Sequence, residues 1–294
     1  MPSPASSDVR PGTLYVVATP IGNLGDLAPR ALKVLDGVDL VAAEDTRTTG
    51  AMLAHFGVRK RMLALHEHNE ADAAAEVVRE LQREKSVAIV SDAGTPLVSD
   101  PGFRLVRAAR DAGIPVIAVP GPCAAIAALS VSGLPTDAFV FAGFLPAKAE
   151  ARRKELATLA GEARTIVLYE SAHRIVETLA DVAAAFGARR VCVARELSKL
   201  HEQSHTAPAT EVAAWIQADG DRQRGEFVLV LEGQAPEAGD LAAAERLLRA
   251  LLAELSASRA ARVAAELTGH PKKELYALAV KLGGGKGPHE PGEG

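Results

Sequence analysis

The strongest constraint on this chain is a unit that recurs three times before residue 125: a short apolar run, rich in β-branched residues, halted by a Gly/Pro loop. LYVVA (14–18) runs into TPIGNLGD, VAIV (87–90) into SDAGTP, and IPVIAV (114–119) into PGP. Runs without polar alternation predict strands buried on both faces, as in a parallel sheet covered by helices. Helical spacing follows over Leu27–Leu35 and Asp100–Ala112 and from about Ala124, and VDLVAAED reads as a further strand ending in acids. Such alternation predicts α/β layers. Each Gly/Pro loop brings backbone N–H and C=O groups to a strand's C-terminal edge, where open α/β sheets bind ligands.

The second half repeats this grammar. FVFAGF, RTIVLYES, RRVCVAREL and EFVLVLEG read as strands, with helices near 148–160, 172–186 and 209–218, and the sheet there is predicted to be mixed. The change falls at SGLPTDA, which suggests an N-terminal α/β domain over 14–130 and a second over 131–236. Residues 240–283 differ: Leu and Ala recur at helical spacing, with Gly269 as a stop and Pro271 as a start. Two short helices around a Gly turn resemble a helix-turn-helix-like module, and a plain helical cap fits the spacing equally. The Pro-rich residues 1–13 and the GGGKGPHEPGEG tail, 284–294, read as disordered.

Charge narrows the choice of partners. The chain carries a net −4, but residues 241–286 hold eight Lys and Arg against four Asp and Glu, a local +4 that leaves −8 elsewhere. A nucleic-acid partner would therefore meet a local patch. Cys123 and Cys192 stand in apolar surroundings without metal-like spacing and read as reduced core residues of a cytoplasmic protein. No apolar run reaches membrane-spanning length.

Neither G-x-G-x-x-G after a strand nor G-x-x-x-x-G-K-[ST] occurs, which argues against NAD-type and P-loop chemistry. Each loop alone could be an ordinary βα turn. Three in one domain favour a ligand cleft, whose backbone-lined walls would suit a zwitterionic, partly apolar cofactor. Glu44 and Asp45 end a strand, with Arg47 two residues on; a cleft role and a capping role are evenly matched. Asp92 and Asp100 flank SDAGTPLVSDPG, and Asp100, just before Pro-Gly-Phe, reads as a cap. Tyr169, Glu170, Ser171, His173 and Arg174 form the densest polar cluster at a strand end, and Arg195, Glu196 and Lys199 repeat it. His66 and His68 have no third ligand at zinc spacing, so no metal site is expected.

In this order and at these intervals, TPIGNLGD, AAEDTR, SDAGTPLVSDPG, VPGPCAA, GFLPAK, YESAHR, REL-K and GE-VL--EG closely resemble the ribosomal RNA small subunit methyltransferase I family, from Leu14 to about Leu282. The resemblance implies the tetrapyrrole methylase fold: two α/β domains with S-adenosylmethionine in the cleft between them, in a homodimer. It implies cofactor contacts at Pro20, Gly94, Thr95, Val98, Cys123, Ala124, Tyr169, Leu197, Gly225 and Glu226. Thr95 replaces the acid of the superfamily's Gly-Asp-Pro loop, and Gly225-Glu226 departs from its Ser-Pro or Gly-Pro.

The implied reaction is methyl transfer to the ribose 2'-OH of a decoding-centre cytidine in 16S ribosomal RNA, free or in the assembled small subunit. Glu44, Asp45 or Glu170 would accept the proton, and Arg47, His173, Arg174 and Lys199 would hold the RNA. Lys148, Arg152, Arg153, Lys154 and the basic C-terminal segment would extend the footprint. Two alternatives remain at this point. One is a tetrapyrrole- or diphthine-type enzyme acting on a small molecule or protein side chain, whose binding would show little salt dependence. The other is a non-enzymatic ribosome-assembly factor, which would bind RNA and no cofactor.

Overall fold

The computed structural model describes residues 9–66, 68–235 and 241–283. They form two compact units, one ending at Gly233 and one beginning at Gln234.

In the first unit, β1 (Leu14–Val17), β2 (Leu40–Ala43), β3 (Met62–Ala64), β4 (Val87–Val90) and β5 (Val116–Val119) form one sheet. Its order is β3-β2-β4-β1-β5 and its pairings are parallel. α1 (Pro29–Gly37), α2 (Thr46–His55), α3 (Glu70–Gln82) and α4 (Phe103–Asp111) connect these strands. Two apolar clusters, around Val17, Leu35 and Val41 and around Leu14, Leu81 and Ile89, account for the unbroken apolar runs. The chain leaves β1 for β2 in one direction and β4 for β5 in the other. The loops after β1 and β4 thus leave adjacent strand ends in opposite directions, and an antiparallel bridge between Thr19 and Gly94 ties them together there.

A second sheet has the order β6-β7-β10-β8-β9, built from β6 (Phe139–Phe144), β7 (Thr165–Ser171), β8 (Arg190–Arg195), β9 (Gln203–Pro208) and β10 (Glu226–Leu231). Only β6 and β7 pair in parallel, so the sheet is mixed. α6 (Ala149–Leu159), α7 (Ile175–Phe186) and α8 (Ala209–Gln217) follow β6, β7 and β9. One face of this sheet packs a cluster that includes Leu156, Leu179 and Ile216 from these three helices. The other face receives α5 (Ala124–Ser132), the helix after β5, through Ala125, Ala128 and Leu129. By packing, α5 belongs to the second sheet, so the hand-over between sheets lies at the Pro120-Gly121-Pro122 turn.

The second unit holds α9 (Leu241–Leu251), α10 (Ala257–Thr268) and α11 (Lys272–Gly283), three helices where two are predicted. They share a core of Ala244, Leu248, Ala260, Ala264, Leu275 and Ala279. Gly269 ends α10 at φ +72, the left-handed cap that glycine adopts without strain. Arg259, Arg262, Lys272 and Lys273 are exposed.

The predicted N-terminal disorder is corrected at its end. Val9 packs against the first sheet's core, the Arg10 amide donates to the Tyr15 hydroxyl at 2.8 Å, and Thr13 is buried. Residues 1–8 and 284–294, also predicted to be disordered, lie outside the described residues. No described helix is long and apolar enough to cross a membrane.

Candidate active site

The loops after β1, β4 and β5 meet the α5 face of the second sheet around a cavity of about 320 Å³, a size typical of small-molecule sites. Of the predicted cofactor contacts, Gly94, Thr95, Val98, Cys123, Ala124, Tyr169, Leu197 and Glu226 line it. Pro20 and Gly225 do not, although their neighbours Ile21 and Glu226 do. Gly225 sits at φ +99, and a Cβ there would lie 2.5 Å from the Glu196 carboxyl group, so it makes room for Glu196. No Lys or Arg appears among the described lining residues. The walls are mostly apolar side chains and backbone, and the Tyr169 hydroxyl is pinned by the Ala125 amide at 3.3 Å.

Backbone strain concentrates on the rim. Among the described residues five non-glycines have positive φ, and four flank the cavity: Leu97 (+73°), Ser99 (+66°), Glu196 (+50°) and Ser198 (+67°). Each costs on the order of 1–3 kcal/mol, and such strain gathers at ligand sites. Across the cavity Thr95 donates to the Pro122 carbonyl at 2.9 Å, joining the loops after β4 and β5.

The candidate proton acceptors separate by environment. Asp45 caps α2 by accepting from the Arg47 amide, and the Arg47 guanidinium grips the same carboxylate at 2.6 and 3.1 Å. These bonds, the guanidinium's first, hold its pKa down to about 2, which makes Asp45 a weak base. Glu170 lines the cavity with its backbone, but strand alternation turns its side chain to the opposite face from Tyr169. There it is buried, accepts from Thr178 at 2.7 Å, and pairs with Arg174 at 2.7 Å. The expected catalytic role of Glu170 is corrected on this geometry: its carboxylate faces α7 and holds the fold. Glu44 accepts from the Asp92 amide at 3.3 Å, which ties the end of β2 to the end of β4.

Asp100, predicted to be a cap, lines the cavity instead. The start of α4 needs no help from it, because Glu70 of α3 accepts from the amides of Gly102 and Arg104 at 2.9 and 2.8 Å. Burial raises the Asp100 pKa to about 6, and the like charges of Glu44 and Asp92 add to this. A half-buried carboxyl group poised near neutrality is a competent general base. The missed signal was tertiary: Glu70 lies about thirty residues upstream of the helix it caps.

The cations also divide. Arg47 is exposed and beside Asp45, and His173 is exposed. Arg174 is spent internally, on Glu170 and on the Leu145 carbonyl at 3.0 Å. Lys199 bridges Glu196 and Glu226 at 2.8 and 2.9 Å. Arg152, expected to meet RNA, is fully buried between α6 and α7, on Asp181 at 2.7 Å and Glu177 at 3.4 Å. Lys148, Arg153 and Lys154 are exposed.

Residues 13–213 match the family model of Tetrapyrrole (Corrin/Porphyrin) Methylases. Solved structures with the same fold include the methyltransferase CobJ (TM-score 0.57, 18% identity, 76% of this chain and 95% of that one). Uroporphyrin-III-C-methyltransferase from Thermus thermophilus is another (TM-score 0.54, 22% identity, 75% and 94%). The chain therefore belongs to the tetrapyrrole methylase family by model and fold. Residues 238–283 match the RsmI C-terminal HTH domain. Ribosomal RNA small subunit methyltransferase I of Escherichia coli O157:H7 is 50% identical over 95% of this chain and 98% of its own length. The Pseudomonas aeruginosa protein of that name is 52% identical over 93% and 98%. The chain belongs to the ribosomal RNA small subunit methyltransferase I family.

Proposed function

We propose that this protein transfers the methyl group of S-adenosylmethionine to the ribose 2'-OH of a decoding-centre cytidine in 16S ribosomal RNA. The observation that carries the reading is a cation-free cavity at the strand ends, with Asp100 on its wall, in a chain of this family. The residues fit the cofactor. Backbone-rich walls can meet adenine and the amino-acid moiety, and the lack of lining Lys or Arg suits a sulfonium. A relative in fold, uroporphyrin-III C-methyltransferase of Thermus thermophilus, was solved with S-adenosylhomocysteine. When bound, the cofactor supplies an electrophilic methyl group for in-line displacement by the 2'-oxygen.

The chain's own work is alignment and proton removal. The strained loops at 97–99 and 196–198 fix the walls, which favours a near-attack geometry. Asp100 would accept the 2'-OH proton as that oxygen takes the methyl group the bound cofactor would supply. Burial, with the like charges of Glu44 and Asp92 adding to it, keeps Asp100 basic enough for this. Arg47, His173, Lys148 and Lys154 contact flanking phosphates, and Arg259, Arg262, Lys272 and Lys273 of the C-terminal helices extend that contact. The enzyme acts in the cytoplasm as a homodimer. α5 supports the dimer: Ile126 and Val131 on its outer face stay 53% and 47% exposed.

The test is methyl transfer from labelled S-adenosylmethionine to small subunits lacking this modification. Label at the cytidine ribose is expected, and absence of label from correctly folded enzyme on both free RNA and subunits would sink the reading. Sedimentation at micromolar concentration tests the dimer, and a monomer there overturns it.

A further inference from the structure

We infer that Phe144 is the ring on which the base of the target nucleotide stacks while its ribose is methylated. This rests on the RNA reading above. The chain has few aromatic residues to spend, seven Phe, three Tyr and one Trp, yet Phe144 lines the cavity and stays 55% exposed.

Its placement is built by a bulge. Phe141 pairs with Val167, Gly143 with Leu168 and Phe144 with Tyr169, so one extra residue enters β6 between Phe141 and Gly143. In a regular strand Phe141 and Phe144 would point to opposite faces. The extra residue resets the alternation and puts both on the Tyr169 side. Gly143 allows the turn, at φ +63, and a Cβ there would approach the Ser99 Oγ to 3.3 Å, the strained loop beside Asp100. The result is an edge-to-face stack: Phe144 lies 5.6 Å from Tyr169 at 64°, and Phe141 5.0 Å from it at 70°. Tyr169, itself packed by Phe141, braces the ring, which stays half exposed beside the cavity.

A rigid, braced and exposed aromatic face beside the proposed base is what single-stranded RNA recognition uses, since unstacked bases find a partner in such rings. Protein stability does not explain the bulge, because a half-exposed ring buries little area.

The test compares Phe144→Ala, Phe144→Leu and Phe144→Tyr in the full chain, with thermal unfolding to confirm that each folds. S-adenosylmethionine affinity is read by calorimetry, and kcat and KM with unmodified small subunits. Loss of base–aromatic stacking lowers kcat/KM by roughly 10- to 100-fold in the Ala and Leu variants. Tyr restores it to within about threefold, and cofactor affinity stays within about twofold in all three. The proposal is overturned if Leu works as well as Phe, which would mean plain apolar packing. It is equally overturned if cofactor affinity falls by the same factor as kcat/KM, which would make Phe144 a cofactor wall. Wild-type enzyme that binds cofactor but labels no RNA refutes the RNA reading itself, and this inference with it.

Discussion

Apart from Asp45, which Arg47 holds, the carboxylates around the two sheets' strand ends are used in different ways. On the second sheet, Glu170 is neutralised by Arg174, and Glu196 and Glu226 share Lys199, all at 2.7–2.9 Å. On the first sheet, Asp100 faces Glu44 and Asp92. Paired acids are weak bases and good staples; a half-buried acid among like charges holds its proton to higher pH and becomes a better base. The difference supports the proposal that the chemistry belongs to the first sheet's rim.

Replacing the crowded acid should break this contrast most visibly. Asp100→Asn is expected to lower kcat by at least about 100-fold, the lower end of general-base effects, while calorimetry finds cofactor binding retained. The same variant should unfold later at pH 7, by about 1–2 kcal/mol after allowance for solvent screening, because a half-buried charge is removed. Its mirror on the other rim is Glu170→Gln. Denaturant unfolding should report a loss of about 2–3 kcal/mol, with kcat of the folded enzyme unchanged. A large kcat defect there, without instability, would return the base to Glu170.

A second pair separates staple from footprint on α6. Arg152→Met should leave the salt dependence of RNA binding unaltered and cost about 2 kcal/mol or less, since one guanidinium N–H of Arg152 has no partner. Lys148→Ala should leave stability alone and lower the slope of log K against log salt by about one.

The smallest effect is the most diagnostic. Transfer should rise about tenfold per pH unit below about 6 and level off above it, as Asp100 loses its proton. The sign for stability is the reverse: the folded carboxyl binds its proton more tightly than the unfolded one, so its contribution to stability improves as pH falls from about 6 toward 4. Glu44→Gln removes a neighbouring like charge and should shift the activity limb down by roughly half a unit. A limb that does not move with Glu44 would assign the titration to another group.

Much of this architecture was legible in the residues. Apolar runs marked eight of the ten strands, and Gly/Pro loops marked the edge that holds the cavity. β3 escaped because it is only three residues long, and β9, QSHTAP, because it turns polar residues to solvent and lacks an apolar signature. The roles of individual acids were harder to read. Whether Glu170 faces the cavity depends on the parity of one strand, and whether Asp100 is released from capping depends on Glu70, on a different helix. Spacing reveals which residues reach the strand ends, but a carboxylate's strength is set by neighbours that only folding supplies.

Glu70 has a wider consequence. Because a side chain of α3 secures the first turn of α4, the stretch 91–101 supplies no side-chain cap to that helix. The stretch is thereby released to vary: its length, charge and curvature can be rewritten without unravelling α4. A scaffold with such an outsourced cap can change what it holds while keeping how it folds, which is one physical route by which a shared architecture spreads across unrelated substrates.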